Sequence, residues 1–316
     1  MVYTRKQKFQ KVLITIILAI IIFLCISFAA TKIIYDSIFA RYDCGVAEYP
    51  SPLNSTVASR QTINYQSGKN LLSGYLYKYN GENDKNTLVI IAPGHNACGD
   101  SYIWQVHELL QYGWSVLTFD STGCCNSEGK SAVGFPQELC DVRATLDYVE
   151  NQNWFCYNDI VLLGHSRGGY AACCALSYDY DISAVISVSG VNSAMEGIMS
   201  ASTQYVGPLA YSNYGFLWLY QTMLFGNETV NQRADKAISQ TDVPVLLIHG
   251  TDDQQIPVDK YSIVSHKAQI KSDNVEYFLR YSPDNSGHTN LLFDADGTAN
   301  NEVIEKINDF LIKNIK

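Results

Sequence analysis

Hydrophobic and polar positions fall into three regimes along the chain. From Val12 to Ala30 the stretch VLITIILAIIIFLCISFAA runs for 19 residues without a charge. A helix of that length crosses a bilayer hydrocarbon core of about 30 Å, whereas the apolar part of a secretory signal usually has only about 7 to 15 residues. Beyond residue 60 short apolar runs alternate with helix-compatible segments. The runs are TINYQ (62–66), LLSGYLYKY (71–79), TLVIIA (87–92), SVLTF (115–119), DIVLLG (159–164), AVISVSG (184–190), VPVLLIHG (243–250) and VEYFLRY (275–281). From the third onward they are continuous, the pattern of strands buried on both faces of a parallel sheet. This predicts an α/β fold with a doubly wound, mostly parallel eight-stranded sheet, whose ligands bind outside the carboxyl ends of the strands. The third regime interrupts that rhythm: residues 191–242 include the aromatic-rich YSNYGFLWLYQTMLF (211–225). A simple crossover needs far fewer residues, so the spacing predicts an inserted helical lid.

Charge orients the first regime. Arg5, Lys6, Lys8 and Lys11 precede the apolar run, while the 20 residues after it hold only Lys32 and Arg41 against Asp36, Asp43 and Glu48. That asymmetry keeps the amino terminus cytoplasmic. The expected organisation is a cytoplasmic basic segment (1–11), a transmembrane signal anchor (12–30), a linker (31–59) and an extracytoplasmic domain (60–316). A cleaved signal is the alternative, because Ser27 and Ala29 form a small-x-small site, and it too exports the rest of the chain. The net charge of −9 argues against a nucleic-acid partner, which needs a concentrated basic face. Eight of the nine cysteines lie beyond the anchor, an even count that permits disulfides in an oxidising compartment. No CxxC spacing occurs, so a zinc site is not expected, and Cys173 and Cys174 read as small buried apolar residues.

The candidate chemistry centres on VLLGHSRGGYA (161–171), where Gly164, Ser166 and Gly168 satisfy G-x-S-x-G between an apolar run and the helix-compatible YAACCALSY. In that context the serine sits on a tight strand-to-helix turn as a nucleophile. For this topology the partners follow in the order Ser, acid, His, which leaves His266 and His288 of the six histidines. His266 lies in the helical-looking KYSIVSHKAQI. His288 lies in SPDNSGHTN, a loop after the last strand, and is the expected base. The acid should end a strand between them. Of Asp252 and Asp253 after VPVLLIHG, Asp253 stands three residues past Gly250, where a turn returns its carboxylate towards His288.

Residues 60–314 resemble the α/β-hydrolase superfamily, in particular its Ser-His-Asp branch of esterases, monoacylglycerol-lipase-like enzymes and serine aminopeptidases. The matching pieces are IIAPGHNA (90–97), LTFDSTGCCNSEG (117–129), LLGHSRGG (162–169), VPVLLIHGTDDQQIP (243–257) and SGHTN (286–290), in the family's order. The resemblance implies catalysis by Ser166, Asp253 and His288 without cofactor or metal. It also implies an oxyanion hole from the backbone N–H groups of His95 and Arg167, although Pro93-Gly94 stands where the family commonly has His-Gly. The implied substrate is a small-molecule ester; a peptide or amide is the alternative, and a non-catalytic binding module a further one. By the same resemblance Asp120 is structural. His165 is expected to pack or bond locally, and the Arg167 side chain to form an ion pair. In the lid, Trp218 and Phe225 are seven residues apart on one helix face and are expected to act together on an acyl chain.

Overall fold

A computed structural model of the chain describes residues 5–43, 58–79, 81–152, 157–282, 284–294 and 297–315. Residues 1–4 of the basic segment and 44–57 of the expected linker lie outside that range, as do Cys44 and Cys156.

The eight apolar runs form one sheet: β1 (Ala58–Ser67), β2 (Asn70–Tyr79), β3 (Thr87–Ala92), β4 (Ser115–Phe119), β5 (Asp159–His165), β6 (Ala184–Val188), β7 (Val245–Gly250) and β8 (Val275–Arg280). Their order is β1-β2-β4-β3-β5-β6-β7-β8. The pairs β1/β2 and β2/β4 are antiparallel and the remainder parallel. Every residue of β3, β4, β6 and β7 is buried, because helices cover both faces. On one face Leu88, Ile90, Leu162 and Leu247 pack with α3 (Phe135–Glu150) and α4 (Arg167–Ala175). On the other, Val89, Ile91, Leu163 and Leu246 pack with α2 (Ile103–Gln111) and α8 (Asn301–Asn314). Each such side chain contributes about 1.5–3 kcal/mol on burial, so the continuous runs make the sheet a rigid platform.

The long insertion between β6 and β7 folds as α5 (Ala194–Val206), a 3-10 turn (Gly207–Asn213), α6 (Tyr214–Val230) and α7 (Ala234–Ile238). Gly226 breaks α6 with a φ of 79°. The segment after Ser262, which reads as helical in sequence, holds only a 3-10 turn (Val264–His266), and His266 Nε2 pairs with Glu196 at 3.0 Å.

One helix, α1, spans Arg5–Ile38 and contains an 18-residue window of mean hydropathy 3.2, long and apolar enough to cross a membrane. Residues 5–26 are exposed along its whole circumference. The helix also runs eight residues past Ala30, into the segment expected as linker. There Thr31, Tyr35 and Phe39 recur at four-residue spacing, and all three are buried. The ring of Tyr35 meets that of Tyr220 on α6 edge-on at 5.2 Å, and Tyr220 donates to Asp36 at 2.6 Å. Beyond the helix, Tyr42 N–H donates to Gly123 at 3.1 Å and Cys125 N–H to Tyr42 at 2.8 Å. Cys125 is disulfide-bonded. Cys173 and Cys174 are buried free thiols.

Candidate active site

At the end of β5 the chain turns so sharply into α4 that Ser166 adopts φ 55° and ψ −114°. A non-glycine residue in such a conformation costs about 1–3 kcal/mol, which the surroundings must enforce. Gly164 and Gly168 let them do so. A Cβ on Gly164 would stand 2.1 Å from the Gly168 carbonyl oxygen, and one on Gly168 would stand 2.1 Å from that of Ala92. The spacing G-x-S-x-G is therefore the minimum that lets the turn close against β3. Ser166 N–H donates to Val188 at 2.8 Å, tying the turn to β6.

His288, from the loop after β8, lies with Nε2 2.8 Å from Ser166 Oγ and Nδ1 2.7 Å from Asp253 Oδ2. An ionised carboxylate only accepts, so Nδ1 carries the proton and Nε2 is left to accept from the serine hydroxyl. All three side chains are buried. The turn after β7 sets Asp253: its Oδ1 accepts from the backbone N–H groups of Gln255 (2.9 Å) and Ile256 (2.8 Å). Burial disfavours ionisation of Asp253, but hydrogen bonds from His249 and His288 outweigh it and hold the carboxyl well below the usual carboxylate range. Asp252 instead accepts from Ser286 at 2.7 Å.

Two participants escape a reading of the sequence. His249 Nε2 lies 2.9 Å from the Ile256 carbonyl and 3.2 Å from Asp253, and its only sequence signal is a polar residue inside the buried β7 run. Tyr102 joins the first loop to His165: Gly94 N–H donates to its hydroxyl at 2.9 Å, and the hydroxyl lies 3.0 Å from His165 Nδ1. His165 Nε2 in turn faces the His288 carbonyl at 3.2 Å, so Nε2 carries the proton and Nδ1 accepts from Tyr102. Burial and the neighbouring His288 push the His165 imidazole down to about 3, which keeps it neutral. The variable residue of the elbow is thus a bracket for His288.

The Arg167 side chain points away from the serine. Its Nη2 lies 2.7 Å from Glu138 Oε2, with both side chains fully buried. Its backbone N–H begins α4 and has no intrahelical acceptor. Asp120 accepts from the backbone N–H groups of Gly99 and Asn126 and from the Tyr75 hydroxyl, a structural set of partners. Cys98, Asp120 and Cys125 bring ligand-type atoms within 4.8 Å, but the disulfide at Cys125 removes the thiolate a metal would need.

Two spaces flank Ser166. One of about 340 Å³ is lined by Ala97, Tyr102 and Thr289. The other, about 570 Å³, lies under the lid between Phe135, Ile198 and Leu217, and Tyr35 and Ile38 of α1 close its side. Trp218 and Phe225 line neither space. Trp218 donates instead to Asn231 at 3.3 Å, so the face of α6 turned towards the serine is the one bearing Leu217, and the expectation for the Trp218–Phe225 pair fails.

Fold and site together define an α/β-hydrolase, with an eight-stranded, mostly parallel sheet and its reactive-looking cluster at the carboxyl ends of the strands. The chain belongs to the prolyl oligopeptidase family, whose model matches residues 136–316. No curated protein matches it. Among solved structures it is similar to an esterase from Pyrococcus furiosus, with a TM-score of 0.66 and 18% identity over 88% of this chain and 99% of that one. It is also similar to Est1E of Butyrivibrio proteoclasticus, solved with ferulic acid bound, with a TM-score of 0.60 and 19% identity over 80% and 99%. A Pyrococcus horikoshii acylaminoacyl peptidase gives a TM-score of 0.58 and 15% identity over 82% of this chain and 42% of that one. At these identities the likeness speaks for the fold.

Proposed function

We propose that the protein is a membrane-anchored serine hydrolase that cleaves carboxylic esters through an acyl-enzyme on Ser166. The observation that carries this reading is His288, bridging the serine hydroxyl at 2.8 Å and the Asp253 carboxylate at 2.7 Å. Nε2 takes the proton as Ser166 Oγ attacks the ester carbonyl, and gives it to the leaving alcohol. Water then repeats the sequence on the acyl-enzyme, and Asp253 stabilises the imidazolium both times. The backbone N–H groups of His95 and Arg167 form the oxyanion hole. Supporting this, a Cβ on Gly94 would lie 3.5 Å from Ser166 Cβ, which brings the loop bearing His95 against the nucleophile. Removing one such donor typically costs about 2.7–4 kcal/mol of barrier.

A peptidase is the second reading, favoured by the family itself. Against it, the described residues lining the two spaces beside Ser166 include no Asp, Glu, Lys or Arg. A free α-amine or a charged peptide side chain would find no opposite charge there, whereas an acyl chain needs none. Turnover of p-nitrophenyl esters of graded length beside aminoacyl anilides tests the choice: faster anilide cleavage would make the protein a peptidase. Fluorophosphonate labelling tests the serine, and an unlabelled protein would be a binding module.

In this reading residues 1–11 are cytoplasmic, 12–30 form a signal anchor and the hydrolase domain from residue 60, lid included, is extracytoplasmic. The apolar α1 and the disulfide at Cys125, at home in an oxidising compartment, support this. Full-length protein should resist carbonate extraction; a mature form starting near Ala30 would make the segment a cleaved signal.

A further inference from the structure

The cavity that holds Ser166 is walled on one side by the helix that reads as the membrane anchor. Ile34, Tyr35, Ile38 and Phe39 all line it. They follow Ala30, the last residue of the uncharged run, by four to nine positions. At 1.5 Å per residue, Tyr35 sits only about 7.5 Å along the helix from that boundary. The lid reaches the same level: Phe28, inside the uncharged run, meets the rings of Phe216 at 6.3 Å and Tyr220 at 6.1 Å. Large apolar side chains of the lid are also open: Leu209 and Met223 are each 68% exposed, and Tyr205, which lines the cavity as well, is 82% exposed. The first loop is joined to the same helix, since the His95 ring bonds to the Ile38 backbone and stacks edge-on with Phe39 at 5.1 Å.

We propose that the substrate is a membrane-resident long-chain acyl ester, which enters this cavity sideways from the leaflet between α1 and the lid. The inference rests on the reading of α1 as an anchor and of Ser166 as the nucleophile. The occupant of the exposed lid face is the bilayer that holds residues 12–30. A patch of this kind marks an interaction surface, and the bilayer is continuous with it. The uncharged cavity accepts a hydrocarbon chain directly. Passage through water would carry a penalty that grows with every methylene, and the lateral route avoids it. Attack forms the Ser166 Oγ–carbonyl bond and breaks the ester C–O bond. The alcohol leaves with the proton held by His288, and water releases the fatty acid.

The test uses full-length protein reconstituted in phosphatidylcholine vesicles, with p-nitrophenyl oleate either in the same bilayer or in separate protein-free vesicles. Initial turnover should be at least tenfold faster from the same bilayer. Leu209→Asp with Met223→Asp, neither of which lines the cavity, should remove most of that advantage while leaving p-nitrophenyl acetate turnover and fluorophosphonate labelling unchanged. Equal initial rates from the two presentations in the wild type, a comparison that needs no variant, would overturn lateral entry. So would a double variant that labels normally and keeps the full same-bilayer rate. A wild type that neither labels nor cleaves the acetate would sink the Ser166 reading itself.

Discussion

Around Ser166 the atoms are positioned by backbone contacts and hydrogen bonds, whereas the wall facing it, made by α1, α5 and α6, is held mainly by ring contacts and apolar packing, with the Tyr220–Asp36 hydrogen bond beside them. On the first side, two glycines admit no Cβ, and His288 is fixed at its ring by Ser166 and Asp253 and at its carbonyl by His165 and Ser189. On the second, Phe28, Tyr35, Phe216 and Tyr220 meet edge-on or at larger separations, and such contacts tolerate small shifts. Directional bonds fail all at once when a partner is lost; apolar contacts are lost in proportion to area. Substitutions on the first side should therefore act as switches, and those on the second as dials.

The sharpest form of that contrast is Ser166→Ala. With no nucleophile, ester turnover should fall by several orders of magnitude and fluorophosphonate labelling should vanish, while the melting temperature stays close to that of the wild type. Persistent labelling would remove Ser166 from the chemistry.

Next in size is the effect expected at Asp253. Asp253→Asn frees His288 to take the wrong tautomer, and the expected loss in kcat is about 10⁴-fold. Asp252→Asn disturbs only the bond from Ser286 and should stay within a few-fold. A reversed pair of effects, read from p-nitrophenyl acetate kinetics, would move the acid by one residue.

On the wall the expectation is graded. A buried methylene is worth about 0.8 kcal/mol, or roughly fourfold in kcat/KM for each carbon an acyl chain gains within the cavity. Replacing Ile198 and Leu217 by alanine should flatten this rise with chain length and leave acetyl-ester turnover within about twofold. Equal losses for acetyl and octanoyl esters would mean that these residues support the lid without meeting the acyl chain.

The same contrast governs what could be read from the sequence. Strands β3 to β7 were legible as continuous apolar runs, whereas β8, read with them as buried on both faces, is half-buried at the edge of the sheet; the elbow was legible because its glycine spacing is a local steric requirement. The geometry now joins Ser166, Asp253 and His288, residues that stand 122 positions apart at their extremes. The wall was not legible. Trp218 and Phe225 share a face in an ideal helix, but which face of α6 turns inward depends on how α1 packs against it. The burial of Thr31, Tyr35 and Phe39 was equally hidden, since their spacing lies among Lys32, Asp36 and other polar residues that resemble a linker. His249 and Tyr102 carry no motif; they work only because β7 and α2 bring them beside groups far away in the chain.

The smallest effect concerns stability and asks whether the bracket behind His288 behaves as neutral. Burial and His288 lower His165 to about 3, and burial and Arg167 lower His95 to about 4, against an ordinary value of 6.5. In the unfolded chain both rings take up a proton as pH falls through 6.5, while in the fold they do not until those lower values. Unfolding therefore binds protons between pH 6.5 and about 4, so stability rises with pH across that window and drains away on acidification. Fully buried His165 should contribute a slope of at most about 1.4 kcal/mol per pH unit, and the more exposed His95 a smaller one. Asp253 bends only the lower end of this window, because its carboxyl stays ionised in both states until pH approaches the unfolded value of 3.8. His165→Gln offers a donor and an acceptor without a titrating group, and should reduce the slope by nearly one proton in denaturant melts at pH 6, 5 and 4. An unchanged slope would mean that His165 is already protonated in the fold, and that the chain from Gly94 through Tyr102 to the His288 carbonyl is not held as drawn.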